Sequence, residues 1–254
     1  MISLVHLAWA QVLGQVSGQQ AVVFGTVLLG RMQGGEGADR ALGMFINTLP
    51  LRVSLGSVGV QAGVRATHAR LAQLLGHEHA SLSLAQRCSG VPGSLPLFST
   101  LLNYRHSAPG SSEAQAAWQG IETLRSDERT NYPLTLSVDD LGDGFILRLL
   151  ATAQVDPQRV CAYLQTALEN LVTALEQAPQ TALAQVSVVP AAEQHLLLEQ
   201  FNATGADFPQ GSTLHGRIEA QAALTPDAIA AVCQGRQLTY SELNQQANLL
   251  ARRS

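Results

Sequence analysis

The sequence of 254 residues contains no lysine, and its 15 permanently cationic side chains are all arginines. The chain therefore cannot supply the lysine of a phosphate-binding loop, a Schiff-base lysine or a lysine general base. Charged residues make up 13% of the sequence, and the formal net charge is −4. No segment concentrates the arginines. Because a nucleic-acid-binding protein needs a basic surface, we expect no nucleic-acid partner.

Long apolar stretches are also missing. The longest run near the start, residues 21–30, contains Thr26 and is too short to cross a bilayer. The first residues, Met-Ile-Ser, lack the basic flank of a secretory signal. The three cysteines are far apart and odd in number, which fits reduced thiols better than a disulfide framework. These features predict a cytoplasmic protein with no membrane partner.

Several catalytic and metal-binding motifs are absent from the sequence. There is no G-x-S-x-G motif, and no cysteine lies in a recognisable nucleophile motif. Residues 77–79, His-Glu-His, lack a third ligand at a matching spacing, so we interpret them as a turn at a helix end. Asp139, Asp140 and Asp143 are expected in a solvated hairpin turn, because the loop lacks the length and the closing glutamate of a calcium site. We therefore predict no metal site.

The apolar pattern indicates a layered α/β fold. Apolar residues at helical spacing predict a first helix over 5–16. The β-branched run at 21–29 is typical of a strand that is covered on both faces. Further elements are expected as an edge strand at 48–53, a helix at 60–75, a hairpin at 134–150 and a helix that begins after Asp156.

Four polar residues end the apolar strand that is predicted at 97–102. They are Asn103, Tyr104, Arg105 and His106. Strand ends are where binding groups collect in layered α/β folds, so these residues are candidates for a binding site. The alternative is that they are polar residues leaving the sheet for water.

A second unit is expected after a linker. Prolines, glycines and weak periodicity mark residues 181–212 as the linker. The following segment predicts a hairpin with its turn at Gln234-Gly235, and then a helix through Arg253 that begins with a Thr239/Glu242 capping box. Because about forty residues of this kind bury little surface, we expect them to be the truncated beginning of a larger domain.

Four segments together resemble a nonribosomal peptide synthetase. Residues 43–52, Gly-Met-Phe-Ile-Asn-Thr-Leu-Pro-Leu-Arg, are similar to the condensation-domain motif G-x-F-V-N-T-x-x-x-R. Residues 77–82 and 129–134 resemble two later condensation motifs with several departures. Residues 238–243, Leu-Thr-Tyr-Ser-Glu-Leu, resemble the first core motif of an adenylation domain, L-T-Y-x-E-L.

The resemblance implies a domain order and a fold. Residues 1–180 would be the C-terminal part of a condensation domain, a chloramphenicol-acetyltransferase-like lobe with a mixed sheet and helices. Residues 181–212 would be the linker. Residues 213–254 would be the beginning of an AMP-binding adenylation domain, truncated in this sequence, with a structural core motif at Leu238, Thr239, Tyr240, Glu242 and Leu243.

The resemblance also implies an activity for the parent synthetase. Such enzymes join carrier-bound aminoacyl or peptidyl thioesters into a peptide bond. Their partners are carrier domains with phosphopantetheine arms, and their adenylation domain uses ATP and Mg²⁺. The family's catalytic motif, H-H-x-x-x-D-G, is absent from this sequence. We therefore expect no catalytic residue and no cofactor in this chain, and candidate residues for the substrate cleft at Asn47, Arg52, Asn103, Tyr104 and Arg129.

Three functions remain open on the sequence alone. The first is a piece of a condensation enzyme that is inactive by itself. The second is a non-catalytic module that docks against carrier or adenylation domains. The third is a standalone acyltransferase with a reduced site, which the missing histidine motif disfavours.

Overall fold

A computed structural model describes residues 1–30, 42–106, 124, 128–207, 211 and 213–252. The chain divides into two units, Met1–Leu198 and Glu199–Ser254. Among its described residues, the first unit contains a five-stranded sheet in the order β2-β1-β3-β4-β5. Its strands are β1 Ala21–Leu28, β2 Asn47–Ser54, β3 Thr100–His106, β4 Leu134–Asp140 and β5 Phe145–Ala151. Its α-helices are α1 Ile2–Ser17, α2 Val60–Leu75, α3 Leu82–Ser89, α4 Pro157–Gln177 and α5 Ala191–His195.

The sheet is mixed, as the resemblance to condensation domains implies. Strands β1, β3 and β4 are parallel neighbours, and β2 and β5 pair antiparallel at the two edges. Pro50 lies in β2, which confirms the prediction of an edge strand at this position. The carboxyl ends of the three parallel strands therefore meet at one end of the sheet.

One face of the sheet is covered by helices. Fully buried side chains from α1, α4 and the three central strands form a continuous core, which includes Trp9, Phe24, Leu102, Leu136 and Leu164. Helix α1 contacts both α2 and α4. Helix α4 begins as predicted, because the Asp156 carboxylate accepts hydrogen bonds from the backbone N–H groups of Gln158 and Arg159.

The opposite face is closed beside β1 by aromatic packing. The Phe98 and Tyr132 rings stack with their centroids 5.4 Å apart. Gly25 of β1 lies directly against this pair, since an added Cβ atom would be 2.4 Å from the Phe98 ring. A glycine in this strand therefore allows the aromatic ring to approach the backbone.

Two parts of the first unit differ from the sequence expectations. The prediction that Asp139 and Asp140 lie in a hairpin turn is wrong, because both are buried within β4. The strand continues through them because cationic and phenolic groups on adjacent strands pair with their carboxylates. For the same reason the polar residues 103–106 lie inside β3 rather than beyond its end.

Residues 181–198 pack onto the first unit, although their pattern predicts a linker. Leu183, Val186 and Val188 are buried. The side-chain amides of Gln11 and Gln15 on α1 each donate a 2.8 Å hydrogen bond to a backbone carbonyl of this segment. A short 3-10 helix, Leu183–Gln185, precedes α5, and a π-helical turn, Leu196–Gln200, follows it.

The second unit contains α6 Leu214–Leu224, the hairpin β6 Ile229–Cys233 and β7 Arg236–Thr239, and α7 Tyr240–Ala251. The predicted turn is confirmed: Gln234 and Gly235 both have positive φ angles, of 48° and 77°. The capping box is also confirmed, with Thr239 and Glu242 bonding each other's backbone N–H groups. Helix α7 has no buried residue, and α6 has one, Ala222.

Candidate functional site

The carboxyl ends of β3 and β4 bring together several polar side chains. Tyr104 pairs in register with Val138, Arg105 with Asp139, and His106 with Asp140. Successive residues of a strand point to opposite faces of the sheet. The polar residues therefore divide into two clusters, one on each face.

The helix-covered face carries the cluster Tyr104–Asp140–His106. The Tyr104 hydroxyl donates a short hydrogen bond to Asp140 Oδ2. His106 Nδ1 lies 3.2 Å from the same oxygen, and the Gly142 backbone N–H donates to Oδ1 at 2.9 Å. Asp140 can therefore fix the tyrosine hydroxyl and orient the imidazole of His106 at the same time.

The electrostatics follow from these contacts. The hydrogen bond from Tyr104 is the largest of the effects that lower the pKa of Asp140, and the Gly142 N–H adds to it. Burial, supported by the negative charge of Asp140, raises the pKa of Tyr104. Asp140 is thus held ionised and Tyr104 is held as a neutral phenol that donates a proton.

The opposite face carries the cluster Arg105–Asp139–Arg148. Arg105 donates from Nε to Asp139 Oδ1 at 2.6 Å, and from Nη2 to Oδ2 at 3.3 Å. Arg148 of β5 donates a short hydrogen bond to the same carboxylate. Two half-exposed guanidinium groups therefore compensate one buried carboxylate and leave a positive charge, and the cluster joins three neighbouring strands.

A pocket of about 130 Å³ lies beside Tyr104, at the carboxyl ends of β1 and β3. His6 of α1 forms part of its wall and is buried. Its Nδ1 donates to the Ile2 carbonyl at 2.8 Å, and its Nε2 accepts from the Thr26 hydroxyl at 2.8 Å. Burial lowers the pKa of His6 to about 4, so this imidazole is neutral near pH 7.

The five predicted cleft residues do not form one cluster. Asn103 and Tyr104 are neighbours on β3, but they lie on opposite faces of the sheet. Arg52 is exposed on the edge strand β2, and Arg129 is exposed in the segment before β4. Asn47 connects the start of β2 to the turn after α2, since its amide donates to the carbonyls of Glu78 and Ala80 at 2.8 and 2.7 Å.

The other residues singled out in the sequence lie in turns, helix caps and regular secondary structure. Residues 76–79 form a turn after α2, as interpreted from the sequence, with Glu78 buried and His79 exposed. Among the described residues, no three metal-ligating side chains converge. In the second unit, Thr239 and Glu242 cap α7, Leu238 lies on β7, and Tyr240 and Leu243 belong to the first turn of α7.

No pattern in the sequence joins the members of the two clusters. Arg105 and His106 are recognisable only as part of a polar strand end, and nothing connects Asp139, Asp140 or Arg148 with them. The signal in the sequence was the pair of acidic residues at the end of an apolar strand. That signal does not show that β4 lies next to β3, so partners 34 and 36 residues away were not visible.

Comparison with known proteins identifies the first unit. The family model described as Condensation domain matches residues 1–198. The chain belongs to the condensation-domain family. The match ends where the first structural unit ends, so this condensation unit includes the packed segment 181–198.

Relatives of the condensation unit are large synthetases. The chain is 51% identical over 249 residues to malpinin synthetase from Mortierella alpina, and 31% identical over 252 residues to a linear gramicidin synthase from Brevibacillus parabrevis. These alignments cover 98% and 99% of this chain, but 3% and 5% of the relatives. The chain therefore spans a small fraction of the proteins it matches.

The fold of a solved structure agrees with this assignment. A crystal structure of a four-domain nonribosomal peptide synthetase, bound to AMP and glycine, matches all of this chain and 20% of its own chain. The TM-score is 0.72 at 19% sequence identity, which shows the fold alone. The α/β class with a mixed sheet is thus confirmed for the condensation unit. No helix among the described residues is long and apolar enough to span a membrane.

Proposed function

We propose that the chain is part of a nonribosomal peptide synthetase module, with a condensation lobe followed by the beginning of an adenylation domain. The observation that carries this proposal is the condensation-domain match over residues 1–198. Two further facts support it. The named synthetases align with nearly the whole chain, and residues 238–243 resemble an adenylation core motif.

The proposed reaction of the parent enzyme is amide formation between two thioester-bound substrates. The amine nitrogen of the acceptor attacks the carbonyl carbon of the donor thioester. A C–N bond forms, the C–S bond breaks, and the departing thiol receives the proton that the amine loses. Much of the rate of such a reaction comes from aligning the two substrates, so residues that position them are as important as a base.

Phosphopantetheine arms on carrier domains would deliver both substrates. An arm of this kind presents amides and a phosphate, which require hydrogen-bond donors and cations. The chain offers suitable donors at three of its candidate residues: the amide of Asn103 and the exposed guanidinium groups of Arg52 and Arg129. The Tyr104 hydroxyl donates to Asp140, so it would serve the arm as a hydrogen-bond acceptor. We propose that these four residues contact the substrates at separate points of the cleft, since they do not form one cluster, and that Asn47 positions the turn after α2.

The second unit is assigned a structural role within this proposal. Thr239 and Glu242 are occupied in the capping box, with the Glu242 carboxylate 2.9 Å from the Thr239 backbone nitrogen. Carboxylates that would hold Mg²⁺ do not gather among residues 213–252. ATP and Mg²⁺ are assigned to the adenylation domain of the parent synthetase. The proposal also places the protein in the cytoplasm, with carrier domains and the rest of the synthetase as partners.

The chain alone is not expected to form a peptide bond. The family motif H-H-x-x-x-D-G does not occur in it, and there is no lysine to act as a base. His6 is buried and both of its ring nitrogens are occupied. A function in docking, without catalysis, is compatible with the same observations.

One observation favours a second candidate, a standalone acyltransferase. Asp140 lies 3.2 Å from His106 Nδ1, which is how a carboxylate orients a general base. The imidazole of His106 is exposed and could meet a substrate from solvent. If this pair acted as the base, the chain would catalyse acyl transfer without the family motif.

The experiment combines this chain with a separately expressed condensation lobe that carries H-H-x-x-x-D-G and with two aminoacyl-loaded carrier domains. Dipeptide formation is measured by mass spectrometry. We expect no product above the carrier-only background from the chain alone, and product from the combination. Turnover should fall about tenfold with Asn103→Ala or Tyr104→Phe, because substrate positioning is lost.

The matched controls are His77→Ala and His79→Ala, at exposed positions in the turn after α2. They should leave turnover within about twofold of the unmodified chain. Product from the chain alone that disappears with His106→Ala would support the standalone acyltransferase and overturn the first proposal. Equal loss from all four substitutions would remove Asn103 and Tyr104 from the cleft.

A further inference from the structure

The pocket beside Tyr104 is enclosed mostly by apolar side chains. It lies between α1 and α2 on the helix-covered face of the sheet. Ile2, Leu28, Leu71 and Leu75 contribute apolar surface, and Ala72 and His68 of α2 lie at its exposed side. It is therefore a short apolar pocket with an opening along α2.

The volume of the pocket sets the size of a ligand. It is about 130 Å³. An engineered apolar cavity of about 150 Å³ in another protein stays dry and binds benzene. A group of similar bulk, such as one small ring or one branched four-carbon side chain, therefore fits this pocket. Larger rings do not.

The polar groups of the pocket define how a ligand would be oriented. His6 has both ring nitrogens occupied, and the Tyr104 hydroxyl is bound to Asp140. The inner wall consequently offers few free hydrogen-bonding groups. At the opening, His68 Nδ1 lies 3.1 Å from the Ser3 hydroxyl, while Nε2 makes no hydrogen bond within the described part of the chain. A ligand would place its apolar end inside and a polar group at His68.

We propose that this pocket binds the branched aliphatic side chain of an aminoacyl group, of about the size of leucine, with the polar backbone of the amino acid at His68. The identity of the ligand rests on the proposed function, which supplies aminoacyl thioesters as substrates. The pocket selects its ligand by size and polarity. Burial of apolar surface in its interior favours binding, and the interior has no room for a larger ring. It adds a specificity element to the condensation unit.

The test uses the full chain with leucinamide as the probe and glycinamide, which lacks the side chain, as its comparison. Binding is followed by the NMR shifts of the Leu28, Leu71 and Leu75 methyl groups. Leucinamide should bind at least about tenfold more tightly than glycinamide, since burial of the side chain is the main difference. Equal affinities for the two amides would overturn the proposal.

The matched variants are Ala72→Phe, which fills the opening, and Ala69→Phe, on the same helix but not lining the pocket. Both positions are exposed, so both variants should fold, which circular dichroism checks. Ala72→Phe should weaken leucinamide binding at least about tenfold, and Ala69→Phe should leave it within about twofold. Equal effects of the two substitutions would contradict the assignment.

A third variant tests the pocket independently of the proposed function. Leu75→Ala enlarges the pocket and should raise the affinity for tryptophanamide, which carries a larger ring, relative to leucinamide; an unchanged preference would contradict the proposal. Leucinamide binding that follows this pattern, together with no product in the reconstituted condensation assay, would contradict the proposed function alone. Condensation without leucinamide binding would contradict the pocket alone.

Discussion

Helices α4 and α7 begin with equally clear caps, but α4 packs into a core and α7 leaves its leucines exposed. In the condensation unit, α4 starts at the Asp156 cap and places Leu164 and Leu171 in a continuous core. In the second unit, α7 starts at a complete capping box and leaves Leu249 and Leu250 exposed, at 59% and 70%. Local signals therefore specify where a helix begins, whereas stability depends on what the helix buries.

The same contrast holds for the two hairpins. The β4–β5 hairpin is one edge of a five-stranded sheet, and β4 is buried along most of its length. The β6–β7 hairpin forms a sheet of two strands, and β6 is mostly exposed. A two-stranded hairpin is marginal in water without a covering layer. The condensation unit thus carries its own core, and the second unit shows very little of one.

The largest expected effect is a loss of folding stability, which we compare at one leucine from each unit. Leu164→Ala removes a fully buried side chain from the core and should lower the free energy of unfolding by about 2–5 kcal/mol. Leu249→Ala is the matched control, since the same substitution is made on an exposed helix face and should change stability by less than about 0.5 kcal/mol. Urea unfolding followed by circular dichroism measures both. Similar losses would show that α7 is buried in solution.

The second effect concerns the pH dependence of the condensation unit. The pKa of His6 is about 4 in the folded chain, against an ordinary value of 6.5. Between these values the unfolded state binds the proton and the folded state does not, so stability should fall as the pH is lowered from 6.5 to 4. The loss from this one group is about 3 kcal/mol.

His6→Gln removes that titration. The variant is expected to be less stable at pH 7, because the packing around His6 is lost, but to show a flatter stability profile between pH 6.5 and 4. His215→Gln, at an exposed histidine of the second unit, should leave the profile unchanged. Denaturant unfolding at a series of pH values gives the slopes, and parallel slopes for His6→Gln and the unmodified chain would refute the assignment.

The smallest expected effect is the loss of helix stability when a cap is removed, which we compare between the two units. Asp156→Ala and Thr239→Ala should each cost about 1 kcal/mol of helix stability. Helix α4 should nevertheless stay protected in amide hydrogen exchange, because its core contacts remain. Helix α7 should lose most of the protection it has. If residues 240–251 were as strongly protected as residues 157–177 in the unmodified chain, the contrast between the two units would be wrong.

Periodicity and caps were sufficient to predict much of the fold. The first helix, the apolar strand β1, the edge strand with Pro50 and the capped helix α4 are all present where their patterns indicate. Residues 181–198 could not be predicted as part of the condensation unit, since their weak periodicity resembles a linker. They are held by contacts such as the Gln11 amide with the Leu183 carbonyl, which join positions 172 residues apart.

The candidate site was predictable to a smaller degree. Tyr104 is predictable as a site residue because it follows an apolar strand, and the structure gives it an ionised partner, Asp140. The pattern around Asp140 predicts a solvent-exposed turn instead, because a sequence shows a charge but not the group that compensates it. The pocket at the ends of β1 and β3 depends on four separate elements, and none of them signals it alone.

Pro50 has a consequence for how the protein behaves while it folds. An edge strand usually presents a row of backbone N–H and C=O groups on which a strand from another molecule can assemble. Pro50 lies near the middle of β2 and has no N–H group to offer, so that row is interrupted. Sheet-to-sheet polymerisation of newly made chains is disfavoured at the β2 edge, and a Pro50→Val chain would present an uninterrupted template for it.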